Sequence, residues 1–137
     1  MIADLAREWI GTPYLHQASA KGAGTDCLGL LRGIWREVYG AEPMQIPPYS
    51  MDWSEAGGRE DLRAAADECL ILKPLDHASE GDVLLFRMRA GAVAKHLGIQ
   101  GRVHNPSFIH AYFGHCVVES ALTDPWQRKI VARYRFP

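Results

Sequence analysis

Residues 24 to 40 have the sequence GTDCLGLLRGIWREVYG. Within this stretch, apolar side chains recur at the three- and four-residue spacing of one helix face: Cys27, Leu30, Leu31, Ile34, Trp35 and Val38. Thr25 or Asp26 can cap the start of such a helix, and Gly40 can end it. The pattern predicts an amphipathic helix that begins near Asp26 and carries a cysteine in its first turn.

Two further helices are predicted, one on each side of this segment. Residues 2 to 10 have apolar side chains at helical spacing, and Gly11-Thr-Pro13 can stop that helix. Residues 59 to 70 show the same spacing, with four side chains facing inward: Leu62, Ala65, Ala66 and Cys69. Residues 14 to 25 predict a loop, and the prolines and glycines of residues 41 to 58 predict a long irregular segment.

The second half of the chain carries strand patterns. Asp82-Val-Leu-Leu-Phe86 predicts a buried strand, and residues 130 to 136 alternate between apolar and charged side chains. Three other segments are also predicted as strands: residues 95 to 100, 107 to 112 and 116 to 119. Helices followed by an antiparallel sheet predict an α+β fold. Because no repeat, low-complexity tract or linker interrupts the sequence, we expect residues 1 to 137 to form a single domain.

The composition argues against two classes of partner. Fifteen basic and sixteen acidic residues give a net charge of -1, which is not the basic footprint of a nucleic-acid or membrane-surface binder. The first seven residues contain two charges and no secretory signal pattern. No run reaches the roughly 18 apolar residues of a membrane span. We therefore expect synthesis in the cytoplasm without a signal peptide and without membrane insertion.

Cys27 differs from the other two cysteines in its position. Cys69 and Cys116 lie among apolar residues and are interpreted as packing residues. Cys27 lies at the start of the predicted helix, where free backbone N–H groups favour an anion and lower the pKa of a thiol. The same N–H groups can stabilise the oxyanion formed when a thiolate attacks a carbonyl. This position favours Cys27 as a nucleophile.

A nucleophilic thiol needs a base, and two of the six histidines form a specific pair. His96 and His110 lie in neighbouring predicted strands, whereas His77 and His104 are interpreted as ordinary surface or core residues. A hairpin centred on Val103 would place His96 opposite His110, Gly98 opposite Phe108 and Gln100 opposite Pro106. Directly paired residues share a face of the sheet, so one imidazole can orient the other.

Five short segments follow one another in the order of a known family pattern: Gly11-Thr-Pro-Tyr14, Gly24-Thr-Asp-Cys-Leu-Gly-Leu30, Gly81-Asp-Val-Leu-Leu-Phe86, His96-Leu-Gly-Ile99 and Phe108-Ile-His-Ala111. In this order they resemble the NlpC-type papain-like cell-wall peptidases. They are most similar to the short members that accompany the tails of phages and gene transfer agents. The resemblance implies a papain-like domain in which N-terminal helices pack on a C-terminal antiparallel β-sheet.

The resemblance also implies roles for five residues. Cys27 would be the nucleophile, His96 its base, and His110 the polar residue that orients His96. Tyr14 matches a tyrosine that lines the site and assists substrate or oxyanion binding. Asp26 matches an acidic residue that holds the free amine of the stem peptide. Leu28 stands where many relatives have serine. Many relatives also read Tyr-x-Trp-Gly-Gly, whereas here Tyr14 leads to Leu15-His-Gln17.

The expected activity is that of a cysteine endopeptidase acting on peptidoglycan stem peptides, at the bond between γ-D-Glu and diaminopimelate or lysine. The expected partners are tail hub or baseplate proteins of a phage-like particle, which would carry the enzyme to the periplasmic cell wall. No cofactor is expected.

Two other functions remain open at this stage. One is a CHAP-like N-acetylmuramoyl-L-alanine amidase, and the other is a structural tail-assembly protein with a dormant site. A metal site is not expected, because no C-x-x-C or H-E-x-x-H spacing occurs and the adjacent His115 and Cys116 would point to opposite faces of a strand.

Overall fold

The computed structural model describes residues 1 to 46, residue 49 and residues 60 to 137. Most of the irregular segment predicted for residues 41 to 58, and the predicted start of the third helix at Arg59, lie outside the described residues. None of the described helices is long and apolar enough to cross a membrane.

The predicted helices are present within the described residues, together with one short helix that the sequence did not reveal. They are α1 (Ile2–Arg7), α2 (Cys27–Tyr39), α3 (Asp61–Cys69) and α4 (Asp124–Gln127). The side chain of Asp26 caps α2 by accepting the N–H of Gly29, and Gly40 ends α2 with a φ of 86°. That φ lies in the left-handed region, which favours glycine.

The described strands are β1 (Ser19–Ala20), β2 (Gly24–Thr25), β3 (Ile71–Lys73), β4 (Val83–Phe86), β5 (His96–Gln100), β6 (Ser107–Ala111), β7 (Val117–Ala121) and β8 (Ile130–Arg135). Strands β1 and β2 form a small hairpin inside the predicted loop. The others form an antiparallel sheet in the order β3-β8-β4-β5-β6-β7. The predicted α+β fold is therefore confirmed.

The central strands β4, β5 and β6 are buried on both faces of the sheet. On one face it packs against the helices, with Leu30 and Ile34 of α2 in the shared core. On the other face, Leu84, Phe86, Phe108 and Leu122 form a second cluster, against which Trp126 packs. Because successive side chains of a strand point to opposite faces, β4 supplies both clusters in turn. Burial on both sides explains its continuous apolar sequence.

The predicted pairing between β5 and β6 is wrong by two residues. Ile99 lies opposite Ile109 and Gln100 opposite Phe108, so His96 is not directly opposite His110. The turn is longer than expected because it extends through Pro106, with Asn105 at a φ of 51°. A shift of two residues leaves every side chain on its predicted face. The two histidines are therefore diagonal neighbours on the same face.

A buried ion cluster joins β3, β4 and β8. Asp82 accepts hydrogen bonds from Lys73 Nζ at 2.8 Å and from Arg133 Nη1 at 2.9 Å. Arg133 Nη1 also donates to the side-chain oxygen of Gln100 at 2.9 Å. Asp82 and Arg133 are 2% and 4% exposed, so neither charge can be stabilised by bulk water if its partner is removed.

The Asp82→Asn variant should therefore lose about 3–5 kcal/mol of unfolding free energy, because two cations would be left without a carboxylate. Urea denaturation at neutral pH measures this loss. Asp4→Asn is the matched control, since the Asp4 side chain is 78% exposed in its pair with Arg7. Its loss should stay below about 1 kcal/mol. Equal losses in the two variants would contradict a structural role for the buried cluster.

Candidate active site

Cys27 is held where the N-terminal end of α2 meets the start of β5. Its half-buried thiol donates a weak hydrogen bond to the carbonyl oxygen of Lys95 at 3.8 Å. On the other side of His96, the backbone N–H of Leu97 also interacts with the sulfur. The thiol thus lies against the backbone on both sides of His96. It lines a cavity of about 250 Å³ together with His96 and Tyr14.

The expected lowering of the Cys27 pKa is not found. Burial and, less strongly, the negative charge of Asp26 raise the pKa of the thiol to about 12. The backbone N–H groups of Leu97, Leu28 and Cys27 act in the expected direction and lower it, but burial outweighs them. The thiol of Cys27 is therefore protonated at neutral pH.

His96 and His110 are brought together as the sequence predicts, although by a different register. His96 Nε2 lies 2.9 Å from His110 Nδ1, and both residues are buried. Burial, followed by the charge of the other imidazole, lowers the pKa of His96 to about 3. Burial and the nearby His115 lower the pKa of His110 to about 4. Both rings are consequently neutral at pH 7.

A serine that the sequence analysis did not single out extends this pair. His110 Nε2 lies 3.0 Å from Ser120 Oγ on β7, so the three side chains form a hydrogen-bonded row across β5, β6 and β7. A serine in a strand carries no distinguishing sequence signal. Only the pairing of β6 with β7 reveals that Ser120 is near His110.

Aromatic rings enclose His110. Phe108 stacks on its imidazole with a centroid separation of 4.1 Å, and Trp126 approaches edge-on at 5.4 Å. Trp126 comes from α4, the helix that the sequence did not reveal, and also lies 6.0 Å from His96. These rings limit the rotation of both imidazoles and desolvate them, which is the physical cause of the lowered pKa values.

Tyr14 lies at the cavity as predicted. Its backbone forms bridges to two segments, since it pairs with Thr25 and its N–H donates to the carbonyl oxygen of His115. Burial raises the pKa of Tyr14 to about 12, with further contributions from Cys27 and Asp26. The hydroxyl therefore keeps its proton at neutral pH and is available as a hydrogen-bond donor.

Asp26 adjoins Cys27, but its carboxylate is occupied by the protein. Oδ1 accepts the N–H of Gly29 at 2.7 Å, and Oδ2 accepts the N–H of Gln17 at 2.7 Å. The hydroxyl of Tyr49 also donates to Oδ2. The residue is 2% exposed. Binding of a substrate amine by Asp26 stays a prediction.

The structure leaves the remaining candidates away from the cavity. All three cysteines are free; Cys69 packs beside Met44 against the helix-side core, and Cys116 pairs with Pro13. His77 and His104 are exposed, and His104 lies in the turn between β5 and β6. Across residues 1 to 46, 49 and 60 to 137, no three metal-binding side chains gather into a site.

Comparisons with known proteins give the family and the fold. Residues 11 to 135 match the model of the NlpC/P60 family. The chain is 28% identical over 128 residues to the murein DD-endopeptidase MepS/murein LD-carboxypeptidase of Escherichia coli K12. This match covers 93% of the chain but only 57% of that relative.

Solved structures show the same fold at low sequence identity. The NlpC/p60 domain of the peptidoglycan hydrolase SagA superimposes with a TM-score of 0.68 at 20% identity, over 98% of this chain and 96% of that one. An NLP/P60 family protein similar to a lipoprotein, from Staphylococcus aureus, gives a TM-score of 0.65 at 20% identity, over 98% of this chain and 40% of its own.

Because two neutral imidazoles are buried, we expect the protein to lose stability in mild acid. An unfolded histidine binds its proton near pH 6.5, whereas the folded His96 and His110 bind theirs only near pH 3 and pH 4. Between these values the unfolded state holds more protons, so the stabilisation is complete above about pH 6.5 and decreases as the pH falls. The two histidines should together contribute a slope of up to about 3 kcal/mol per pH unit, the value for uptake of two protons.

Urea denaturation at pH 7, 6 and 5 measures this slope. His110→Gln removes one of the two sites of proton uptake, so its slope should be about half that of the wild type. His77→Gln is the matched control, because the His77 side chain is 67% exposed and outside the site. An unfolding free energy that does not change between pH 7 and pH 5 would contradict the burial of two neutral imidazoles.

Proposed function

We propose that this chain, which belongs to the NlpC/P60 family, is a cysteine endopeptidase that cuts peptidoglycan stem peptides. One observation carries the proposal: His110 holds His96 at 2.9 Å, and His96 and Cys27 line the same cavity. A thiol, a base and a group that orients the base are the components of nucleophilic acyl transfer. The chain spans about half the length of the curated relatives it matches, 57% in each case.

The first chemical step would be the attack of Cys27 on the peptide carbonyl. Because His96 Nε2 is engaged with His110, Nδ1 is the ring nitrogen available to take the thiol proton. Transfer of this proton as the S–C bond forms avoids a free thiolate, whose formation burial opposes. The backbone N–H of Cys27 and the protonated hydroxyl of Tyr14 are the donors available to the developing oxyanion.

The second stage would return the enzyme to its starting state. His96 gives its proton from Nδ1 to the departing amine as the C–N bond breaks, which leaves a thioester on Cys27. A water molecule then loses a proton to His96 and attacks the thioester. Cleavage of the S–C bond releases the carboxylic acid, and the proton on His96 returns to Cys27. No cofactor enters this scheme.

The bond we propose is the one between γ-D-Glu and the diamino acid of the stem peptide. The sequence segments around Tyr14 and Cys27 support this choice. The name of the E. coli relative supports a second candidate, a D,D-endopeptidase that separates cross-linked peptides. Pocket shape decides between these bonds, because the chemistry at Cys27 is the same for each.

We also propose that the protein acts as part of a phage or gene-transfer-agent tail, bound to a hub or baseplate protein and carried to the periplasmic cell wall. The support is the order and spacing of the five sequence segments. Co-sedimentation of the chain with tailed particles from its host, detected by mass spectrometry, tests this proposal. Its absence from purified particles would count against it.

Cys27→Ala should abolish the release of soluble muropeptides, since it removes the atom that forms the acyl intermediate. Cys69→Ala and Cys116→Ala are matched controls and should retain near wild-type rates. His96→Ala should lower kcat/KM by about 10²–10⁴, the usual contribution of general acid–base catalysis. His110→Asn should be milder than His110→Ala, because an amide can still accept a hydrogen bond from His96. Equal activity of Cys27→Ala and wild type would refute the proposal.

Mass spectrometry of the digested muropeptides identifies the bond. The proposed activity leaves L-Ala-D-Glu, free or attached to sugar, and releases peptides that begin with the diamino acid. A D,D-endopeptidase instead converts cross-linked dimers into intact monomers, and an amidase yields bare glycan with an intact stem peptide. Either of these patterns, without a free diamino-acid terminus, would contradict the proposed bond.

A further inference from the structure

We infer that Ser120 is a positioning residue of the site, whose hydroxyl accepts the Nε2–H of His110 and so leaves His110 Nδ1 free to accept a hydrogen bond from His96. The inference rests on the proposed function, because the direction of the hydrogen bonds follows from the need of His96 to accept a proton at Nδ1. The hydrogen-bonded row itself is defined by two distances, 2.9 Å between the imidazoles and 3.0 Å between His110 and Ser120.

The sheet fixes this row through its registers. On β7, Ser120 pairs with Phe108 and Val118 pairs with His110, so Ser120 is diagonal to His110 on the same face. On β5, Gly98 lies between His96 and Gln100 on that face. A Cβ at Gly98 would lie 2.8 Å from the Phe108 ring and 3.5 Å from the Cβ of His110. A side chain there would displace the rings, so glycine is needed for the imidazoles to meet.

The number of N–H groups on each imidazole determines which side chain of the row donates and which accepts in each hydrogen bond. A neutral imidazole has one N–H, and each hydrogen bond needs one donor. If His96 is to take a proton at Nδ1, its own N–H must be on Nε2, and it donates to His110 Nδ1. The N–H of His110 must then be on Nε2, and Ser120 must accept it.

If every donor and acceptor in the row were exchanged, His96 could not accept a proton from Cys27. If Ser120 donated to His110 Nε2, His110 would donate from Nδ1 to His96, and the N–H of His96 would lie on Nδ1. Its lone pair would then face His110 instead of the cavity. Only the arrangement in which Ser120 accepts is compatible with proton transfer from Cys27.

The hydrogen bonds of the row become stronger when His96 becomes charged during the reaction. The Nε2–H of the imidazolium then makes a charge-assisted bond to His110, and neighbouring hydrogen bonds polarise each other. The other titratable groups near His110 are His96, Tyr112 and His115. Within the part of the chain that the structure describes, Ser120 is the hydrogen-bonding partner of His110 Nε2.

A purely structural role for the hydroxyl is less consistent with the fold. Five residue pairs already join β6 to β7, so the strands do not need the side chain of Ser120 to stay together. Ser120 is also only half-buried, which means that its removal leaves no large cavity. Loss of the hydroxyl should therefore change the tautomer and the rate more than the stability.

Ser120→Ala should lower kcat about tenfold, as expected for loss of one hydrogen bond of ordinary strength that matters in the transition state, with KM nearly unchanged. Ser120→Thr keeps a hydroxyl and should restore most of the rate. Val118→Ala is the matched control, because it removes packing beside His110 from the same face of β7 but no hydrogen bond. An unchanged kcat in Ser120→Ala, or an equal loss in Val118→Ala, would overturn the inference.

Long-range ¹H–¹⁵N NMR of the imidazoles at pH 7 tests the row without any substrate. In the wild type, His96 and His110 should both carry their proton on Nε2, and Ser120→Ala should reduce this tautomer of His110. A proton on Nδ1 of His110 in the wild type would overturn the inference. If the wild type has no activity on peptidoglycan, the proposed function fails, but the tautomers still decide the role of Ser120.

Discussion

The contact between the N-terminal end of α2 and the first residues of β5 is the interaction on which the site depends. It places the sulfur of Cys27 against the backbone on both sides of His96. Two glycines allow the required approach of α2 to its neighbours. A Cβ at Gly29 would lie 1.9 Å from the carbonyl oxygen of Ala18, and one at Gly33 would lie 2.1 Å from the ring of Trp9. A side chain at either position would move α2, and Cys27 with it.

Burial then determines the electrostatics of the site. The same desolvation that raises the pKa of Cys27 to about 12 lowers that of His96 to about 3, so both groups are neutral before substrate binds. In the proposed mechanism, proton transfer to His96 as the S–C bond forms would leave an imidazolium and an oxyanion, which attract each other in a medium of low dielectric constant. In that mechanism the N-terminal end of α2 would stabilise the charge that develops during the reaction instead of producing a free thiolate at rest.

The sequence predicted elements with a strong periodicity and failed where contacts are long-range. The spacing of apolar residues in α2 and the continuous apolar sequence of β4 were sufficient to predict both elements, because the buried faces of each determine which residues are apolar. The face shared by His96 and His110 was predicted despite the wrong register, since a shift of two residues preserves it. The four-residue helix α4 and the exposed edge strand β3 were missed because neither is long or periodic enough.

The remaining errors concern the site and have the same cause. The raised pKa of Cys27 depends on burial, and the occupation of Asp26 depends on Tyr49, 23 residues away along the chain. The same long-range packing also divides the site into two environments. Phe108 and Trp126 enclose His110 on one side, whereas Cys27 and His96 line a cavity. Because the rings hold His110 in place away from the cavity, the imidazole that orients His96 is fixed without closing the side from which a substrate would reach Cys27.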